Sequence, residues 1–376
     1  MKITSIDVMP LEYVVPQGKA YGNARGLNSR RSAALITIAT DTGLSGIGDA
    51  GGPPRVIREY VNLLKPFFLN RHLRDFEHLA GNARNRLYHF GAQGHFVSAL
   101  GGLDIAAHDA LGKAAGLPVC DLIGGRSRQP LAAYATTGYF TEDPQADVAA
   151  QLAAIDLTMF KGVKIKIGAG VGSDIARVKA AREAIGDKML LMVDMNGNYT
   201  VDVALESLRR IAEHDIHWCE EPLAPADIRG YAELRARSPI RLAAGEAHYG
   251  MHDFERLIEA RAVDIVQPSV TNGGGFSEMK AVTRLAAANG IRVSPVCWGS
   301  AVSLSATVHF AASLAVGPHT INAPYPLLVE YDVADNPLRE TLCRDPIRPA
   351  GGQFNVPAGP GLGVEIVAET VQKYTL

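Results

Sequence analysis

Three acidic residues end successive apolar segments near the middle of the sequence. Asp194 ends LLMVD, Glu220 ends HWCE and Glu246 ends RLAAGE, each acid lying 26 positions after the one before. Because one strand and one helix fit each interval, the three carboxylates are expected around one point. Crowded carboxylates raise one another's pKa, and a hard divalent cation with oxygen ligands relieves that conflict. The spacing therefore predicts a magnesium site, whereas a single acid at a strand end would more often cap a helix.

Glu221 adjoins Glu220 in the segment HWCEEP. Side chains alternate along a strand, so only one of these two carboxylates is expected to enter the site. We assign Glu220 as the metal ligand, and we expect Glu221 to support the site from behind or to form a salt bridge.

Two lysines lie inside an earlier apolar segment, KGVKIKIG at residues 161–168. Lys164 and Lys166 share one face of a strand, where lysines are rarely buried. Mutual repulsion and desolvation are expected to lower their pKa values, and a lysine close to neutrality is a competent general base. The alternative is that both ammonium groups extend to a polar rim. Together with the acids, the lysines indicate an enzyme that removes a proton next to a metal-bound carboxylate.

A glycine pattern after the same strand imitates a dinucleotide-binding loop. Gly168, Gly170 and Gly172 precede a predicted helix, and Asp194 ends the next strand. Ser173 stands where the third glycine belongs, however, and two lysines suit a buried strand of that fold poorly. A dinucleotide site is therefore not expected.

The order of the predicted elements divides the chain. Up to residue 126 the patterns give strands at 2–14, SAALITIAT and GLSGIGDA, followed by helices, with a loop over 16–31. From about residue 131, apolar runs alternate with amphipathic helices, which predicts a parallel α/β (β/α)8 barrel with its active site at the carboxyl ends of the strands. The predicted divisions are an α+β domain at 1–126, the barrel at 127–354 and a tail at 355–376 that returns to the first domain.

The composition argues against several classes of protein. The chain has 376 residues, 47% of them hydrophobic, and a net charge of −2, so nothing favours nucleic-acid binding. The four cysteines show no CxxC or metal spacing, as in reduced cytoplasmic proteins. There is no signal-peptide pattern and no apolar run of bilayer length, so we expect a cytoplasmic protein without membrane association.

The ordered motifs KIKIG, VDMN, CEEP and AGE resemble the enolase superfamily, specifically its mandelate racemase subgroup. KIKIGAGV, REAIG, NGGGFSEMK and GPGLGVEI are similar to segments of galactarolactone cycloisomerases and related acid-sugar dehydratases. The resemblance covers nearly the whole chain. It implies a TIM-like barrel, an N-terminal α+β capping domain completed by the C-terminal tail, Mg²⁺ as cofactor, a small-molecule carboxylate substrate and a homo-oligomer.

The resemblance also implies roles for individual residues. Lys166 would be the base that removes the α-proton, with Mg²⁺ stabilising the resulting ene-diolate, and Lys164 would contact the substrate carboxylate. Glu330, at the end of the eighth strand, would hydrogen-bond the other carboxylate oxygen. The implied metal ligands are the three acids found above, Asp194, Glu220 and Glu246.

The sequence departs from the subgroup where a second base is usual. Most members carry an Asp after strand six and a His after strand seven, but Ser269 and Val296 stand at these positions here. Two-base racemisation through that pair is therefore excluded, and one-sided chemistry from Lys166 is expected. His248, two residues past Glu246, is the candidate for a replacement acid.

Further residues are candidates for substrate contacts. Asn196 lies just past the first acid, and Trp298 lies at the expected barrel mouth. Arg25, Asn28 and Arg30 lie in the first loop, and they would bind a second carboxylate or hydroxyl groups if that loop closes as a lid.

We predict a Mg²⁺-dependent lyase or cycloisomerase that removes the α-proton of a sugar acid or its lactone, after which a β-hydroxyl or ring oxygen leaves. The first alternative is an epimerase or racemase with an unrecognised second base. The second is a non-catalytic homologue that only binds acids or metal. The missing Asp–His pair favours the second alternative, and the intact lysine and acids oppose it.

Overall fold

The computed structural model of the chain describes residues 1–91, 93–126, 130–143, 145–314 and 326–376. Separate hydrophobic cores organise the two regions of the molecule. One core lies between an antiparallel sheet and the helices of the first region. The other lies mainly between the strands of a parallel barrel and the helices around it, and a smaller apolar layer fills the barrel interior.

The first region combines antiparallel strands with helices. Its elements are β1 (Ile3–Val14), β2 (Tyr21–Asn23), β3 (Gly26–Asn28), β4 (Arg30–Thr40), β5 (Ser45–Ala50), α1 (Pro54–Phe68), α2 (Phe76–Arg86), α3 (His95–Ala115) and α4 (Val119–Leu122). β1, β4 and β5 pair antiparallel in that order. The sheet predicted from the three apolar runs is therefore confirmed.

The second region is built on parallel strands. They are β6 (Leu131–Thr137), β8 (Gly162–Lys166), β9 (Leu190–Asp194), β10 (Ile216–Glu220), β11 (Leu242–Ala244), β12 (Ile265–Val266), β13 (Arg292–Val293) and β14 (Leu328–Asp332), with the short β7 (Phe140–Thr141) and β15 (Gln353–Phe354) outside the parallel series. They pair in the order β14-β6-β8-β9-β10-β11-β12-β13, and β15 pairs antiparallel with β6. The Ser294 hydroxyl donates to the Leu328 carbonyl at 2.9 Å across the remaining seam. The predicted (β/α)8 class is confirmed.

Helices follow the barrel strands. They are α5 (Val148–Ala153), α6 (Val171–Ile185), α7 (Val201–Ile211), α8 (Ile228–Arg237), α9 (Gly250–Glu259), α10 (Val270–Gly273), α11 (Gly275–Ala288), α12 (Ala301–Ala312), α13 (Pro337–Glu340) and α14 (Ala368–Tyr374). In α7, Ala204, Leu205, Leu208 and Ile211 are buried, and this spacing gives one apolar face. Such a face packs against the strands in the shared core.

The sixth and seventh barrel strands are shorter than the sequence predicts. β12 and β13 each contain only two residues, although VDIVQPS and IRVSPVC are longer runs. Pro268 and Pro295 interrupt them, because proline has no N–H to donate to a ladder. The two segments stay together beyond the ladder, since the Val296 N–H donates to the Pro268 carbonyl at 3.3 Å.

The prediction of a loop over residues 16–31 is wrong for its central part. β2 and β3 form a short hairpin in which Tyr21 pairs with Asn28, and β2 also pairs with β7. Glycine and asparagine have low strand propensity, so the composition of this segment hides its strands. Through the pairing of β2 with β7, this hairpin holds the predicted lid segment against the barrel region.

The C-terminal residues return to the first region. The Leu376 N–H donates to the Pro10 carbonyl at 3.0 Å, and the Gly361 N–H donates to the Leu117 carbonyl at 2.9 Å. We propose the domain divisions at residues 126 and 354 as they follow from the sequence. Among the described helices, none combines the length and the apolar character that a bilayer crossing requires.

Candidate active site

Parallel pairing brings the predicted site residues to one end of neighbouring strands. Lys166 of β8 pairs with Asp194 of β9, and Asp194 pairs with Glu220 of β10. Glu220 in turn lies opposite Ala243 of β11, three positions before Glu246. The parallel ladders fix which residues lie side by side. Residues that are equally spaced along the sequence therefore end their strands at the same height along the barrel axis.

The two lysines form buried ion pairs with these acids. Lys164 Nζ lies 2.6 and 2.7 Å from the two oxygens of Glu220 and 3.0 Å from Glu330 Oε1. Lys166 Nζ lies 2.5 Å from Asp194 Oδ2. Only 1% of Lys164 and 7% of Lys166 is exposed, so neither ammonium group extends to a solvent-exposed rim.

The expected lowering of the lysine pKa values is wrong for this structure. Burial alone would lower both, but Glu220 and Glu330 raise the pKa of Lys164 well above its usual value. At Lys166, burial and the neighbouring ammonium group lower the pKa, but the carboxylates around it, Asp194 foremost, together outweigh them and the pKa is raised. The lysines repel each other, but the carboxylates in contact with them attract more strongly.

Glu221 joins the cluster because the backbone leaves the extended conformation at this residue. Its φ is 41°, and Asn196 likewise has a φ of 44°. Alternation along the strand therefore stops at Glu220, and the expectation that a single glutamate faces the acids is wrong. Glu221 is buried, and burial together with Glu246 and Asp194 raises its pKa well above the usual value. Left-handed residues other than glycine cost about 1–3 kcal/mol each and cluster at functional sites.

The crowded acids bind protons more tightly than isolated ones. Burial raises the pKa of Glu220 to about 8, against the opposing charge of Lys164. Burial and Asp194 also raise the pKa of Glu246. Glu330 differs: burial raises its pKa, but Lys164 and the Thr136 hydroxyl at 2.5 Å bring it below the usual value. The predicted rise of the carboxylate pKa is therefore found for Glu220, Glu221 and Glu246, but not for Glu330, where the lysine and the hydroxyl outweigh burial.

The positions after strands six and seven offer no base. The Ser269 hydroxyl accepts a hydrogen bond from the Asn272 N–H at 3.3 Å and so caps α10, and Val296 is buried. His248, the predicted replacement acid, packs on Phe254 with ring centroids 5.9 Å apart. Since burial lowers its pKa, this imidazole is neutral at pH 7, and its role as an acid stays a prediction.

Two of the predicted substrate contacts lie beside the acids. The side-chain nitrogen of Asn196 is 3.5 Å from Glu246 Oε1. Arg25 passes so close to the following turn that a Cβ added to Gly197 would lie 3.3 Å from its Nη1. Asn28 is exposed on β3, and within the described residues no contact joins its side chain to the acids.

Trp298 belongs to a network that the sequence did not reveal. Its Nε1–H donates to the Tyr139 hydroxyl at 3.0 Å, and that hydroxyl donates to Asp332 at 2.7 Å. The Arg31 guanidinium lies 3.5 Å from the Trp298 ring centroid and 2.8 Å from Asp332 Oδ2. The Tyr139 ring centroid is 5.9 Å from Lys166 Nζ. The network of Arg31, Tyr139, Trp298 and Asp332 therefore lines one side of the site next to Lys166.

Gln267 is a further polar residue that contacts the cluster. It is completely buried, and its side-chain nitrogen donates to Glu220 Oε2. In the sequence, Gln267 is the one uncharged amide inside the apolar run VDIVQPS, and this is the signal that could have indicated a role at the site.

The chemistry of these residues fits a divalent cation. If all were ionised, the five acids of the cluster would exceed the two lysines by three negative charges. Two buried oxygens, Glu221 Oε1 and Asn196 Oδ1, have no hydrogen-bond partner among the described residues. Oxygen atoms of this kind are the ligands that Mg²⁺ prefers. In the described ranges, however, no three acids, histidines or cysteines already stand as a coordinating set, and Asp194 and Glu220 face the lysines instead.

Comparisons with known proteins assign the family. Residues 9–124 match the mandelate racemase / muconate lactonizing enzyme N-terminal domain, and residues 147–370 match the enolase C-terminal domain-like family. The chain belongs to the mandelate racemase and muconate lactonizing enzymes of the enolase superfamily. The resemblance inferred from the motifs is confirmed.

Individual relatives cover essentially the whole chain. The D-galactarolactone cycloisomerase of Agrobacterium fabrum is 35% identical over 378 residues, covering 100% of this chain and 99% of the relative. The arabinonate dehydratase of Saccharolobus solfataricus is 32% identical, covering 93% and 95%. The crystal structure of the 3,6-anhydro-D-galactonate cycloisomerase from Zobellia galactanivorans has a TM-score of 0.89 and 30% identity, covering 100% of both chains. A racemase from Streptomyces coelicolor A3(2) with bound magnesium has a TM-score of 0.86 and 26% identity, covering 100% of both chains.

Proposed function

We propose that the chain is a Mg²⁺-dependent lyase or cycloisomerase that removes the α-proton of a sugar acid or its lactone. The observation that carries the proposal is the contact of Lys166 with Asp194 across neighbouring strands, at the carboxyl end of the barrel. Relatives named as a cycloisomerase and a dehydratase of sugar acids support the same substrate class.

In this proposal Asp194, Glu220 and Glu246 hold the metal. Bound Mg²⁺ supplies positive charge beside the substrate carboxylate, which makes the α-proton easier to remove. Asp194 Oδ2 now accepts from Lys166 and both oxygens of Glu220 accept from Lys164, so binding of the metal would weaken these contacts. Metal binding and release of the lysines are therefore coupled.

Lys166, once released and neutral, accepts the α-proton on its amine. Lys164 lies two positions earlier on the same face of β8 and donates hydrogen bonds to the substrate carboxylate. Glu330, 3.0 Å from Lys164, orients that ammonium group. The implied hydrogen bond from Glu330 itself to the substrate would require a protonated carboxyl group, which its lowered pKa opposes.

A departing β-hydroxyl needs a proton as the C–O bond breaks and its electron pair leaves with the oxygen, whereas the ring oxygen of a lactone leaves as a carboxylate and needs none. Ser269 and Val296 offer no acid on the opposite face. Lys166 holds the α-proton on the same face and can return it to the β-hydroxyl oxygen, which gives a syn elimination. His248 and water are the other proton donors in this scheme. Loss of a β-hydroxyl gives dehydration, and loss of a ring oxygen opens a lactone.

A panel of sugar acids and lactones in D₂O with Mg²⁺ tests the proposal. NMR follows α-proton exchange and ring opening, and semicarbazide detects 2-keto acids. A dehydratase gives a keto acid, a cycloisomerase consumes a lactone, and both support the proposal. Consumption of both epimers without elimination would instead establish an epimerase. Binding of several acids without any exchange would show a non-catalytic homologue.

A further inference from the structure

A basic groove lies at the end of the barrel opposite the candidate active site. Arg241 comes directly before β11 and Arg292 begins β13, so both lie at the amino ends of strands. Arg235 of α8 and Arg261, just after α9, also line the groove, which has a volume of about 400 Å³. The acids and lysines of the candidate site lie at the carboxyl ends of the same barrel.

Positive charge dominates this groove. Four arginines line it against two acids, Glu259 and Asp264, in a chain whose net charge is −2. Both oxygens of Asp264 already accept hydrogen bonds, Oδ1 from Arg235 Nε at 2.8 Å and Oδ2 from the Leu242 N–H at 2.9 Å. Asp264 is therefore held by hydrogen bonds at both of its oxygens.

The effect of the arginines extends into the neighbouring strand. His217 of β10 is buried, and its pKa is lowered to about 4 by burial first and then by the charges of Arg292 and Arg241. The two guanidinium charges act in the same direction as burial, so their field reaches His217 at this end of the barrel.

Arg261 occupies a backbone position that suits glycine. Its φ is 49°, and it follows α9 in a Schellman motif. The Ala262 N–H donates to the Leu257 carbonyl at 3.1 Å, and the Arg261 N–H donates to the Ile258 carbonyl at 3.0 Å. The left-handed residue of this motif is usually glycine. A long charged side chain at a strained position points to a use for that charge in the groove.

We propose that this groove binds a phosphate group, either inorganic phosphate or the phosphate of a small metabolite. Paired N–H donors of guanidinium groups match phosphate oxygens, and the volume lies in the range of small-molecule sites. The groove carries two more positive than negative side chains, which matches a phosphate dianion better than a monocarboxylate. The proposal does not depend on the reaction at the other end of the barrel.

Isothermal titration calorimetry of the Mg²⁺-loaded protein with inorganic phosphate, at constant ionic strength, tests this site. We expect saturable binding that Arg261→Gly weakens about tenfold or more, equivalent to the loss of a charged contact. The same variant should raise the unfolding midpoint, because glycine relieves the left-handed strain. Arg229→Gln removes an exposed charge of α8 outside the groove and should leave the phosphate affinity unchanged.

Three results would overturn the site: no saturable binding by the unaltered protein, unchanged affinity in Arg261→Gly, or an equal loss in Arg229→Gln. Acetate binding as tightly as phosphate would overturn the choice of ligand. Titration with a sugar phosphate then shows whether the bound phosphate group belongs to a metabolite or to the free ion. Tighter binding than inorganic phosphate indicates a metabolite, and equal or weaker binding indicates the free ion.

Discussion

Individual carboxylates at the candidate site have two competing partners. Asp194 and Glu220 now pair with Lys166 and Lys164, and the same two acids are the proposed metal ligands. Opposite charges at these distances are strongly attractive when buried. In the proposed function, a divalent cation would compete with the ammonium groups for these two acids.

Both Glu220 and Glu221 lie in the acid cluster, and substituting each one separately tests which of them is the metal ligand. Glu220→Gln is expected to weaken Mg²⁺ binding by more than about 100-fold, because the amide removes a ligand charge, whereas Glu221→Gln, which removes only a supporting charge, should cost about 10-fold to 100-fold. Titration calorimetry with magnesium chloride measures both. The reverse order of losses would move the ligand assignment to Glu221.

Residue spacing was sufficient to group Asp194, Glu220 and the two lysines. Parallel ladders place equally spaced residues of neighbouring strands side by side, at the same height along the barrel. The left-handed torsion at Glu221 was not predictable, since sequence rules reserve that conformation for glycine and asparagine. The network that includes Arg31, Tyr139 and Asp332 was also not predicted. Its members come from distant segments with no common motif.

Helix α3 packs on strand β5 so closely that two strand positions admit no side chain. A Cβ at Gly46 would lie 1.9 Å from the Ala106 carbonyl oxygen, and one at Gly48 would lie 2.1 Å from the Gly102 carbonyl oxygen. Both obstacles are backbone atoms of the helix, so the two elements would have to separate.

Gly48→Ala is therefore expected to lower the free energy of unfolding by about 1–3 kcal/mol or more, as overpacking does. Gly81→Ala provides the matched control, because Gly81 is exposed inside α2 and an added Cβ meets nothing within 4 Å. It should stabilise the protein by up to about 1 kcal/mol. Urea unfolding measures both, and equal effects would refute the close packing of α3 on β5.

An ion pair within α3 makes stability depend on pH. Burial alone would lower the pKa of His108, but Asp104 raises it to about 9. The folded pKa thus exceeds the unfolded value of about 6.5, so the stabilisation is complete below pH 6.5 and is lost as pH rises through about 9.

His108→Gln should remove this component, which amounts to roughly 3–4 kcal/mol, since the folded and unfolded pKa values differ by about 2.5 and one pKa unit is worth about 1.4 kcal/mol. Urea unfolding at pH 6 and pH 10, with Mg²⁺ held constant, measures the difference. His252→Gln is the control, because the His252 side chain is 90% exposed. A pH dependence that survives His108→Gln unchanged would contradict the assignment.

Element types and their order followed from hydrophobic periodicity, whereas several boundaries did not. The antiparallel sheet and the parallel series were predictable because their apolar runs are regular. Prolines shortened β12 and β13, and the glycine-rich hairpin of β2 and β3 is stabilised by pairing with β7 rather than by its own residues. Tertiary contacts outweigh local propensity at such points.

Buried polar contacts join the first region to the barrel across the whole molecule. Asp49 of β5 accepts hydrogen bonds from the Ser300 and Ser303 hydroxyls, both at 2.6 Å. Asp104 of α3 accepts a hydrogen bond from the Phe276 N–H at 2.6 Å. Since buried groups that lose such partners are costly, the two regions are expected to unfold together.

Arg31 tests this connection, because it is 3% exposed and pairs with Asp332 of the last barrel strand. Arg31→Met should lower the free energy of unfolding by about 2–4 kcal/mol, since Asp332 loses one buried charge partner. Arg30→Met is the adjacent control: the Arg30 side chain is 62% exposed and pairs with Glu12, so about 1 kcal/mol or less is expected. Similar losses in both variants would show that the buried pair is unimportant.

The most direct test of the central claim is α-proton exchange in D₂O, followed by NMR on an acid that the Mg²⁺-loaded protein turns over. Lys166→Ala should slow exchange by about 10²–10⁴-fold, the usual contribution of a general base, while Mg²⁺ affinity stays within about tenfold. Lys161→Ala, which alters an exposed lysine just before the same strand, should exchange at the unaltered rate. Exchange by Lys166→Ala as fast as by the unaltered protein would contradict the account.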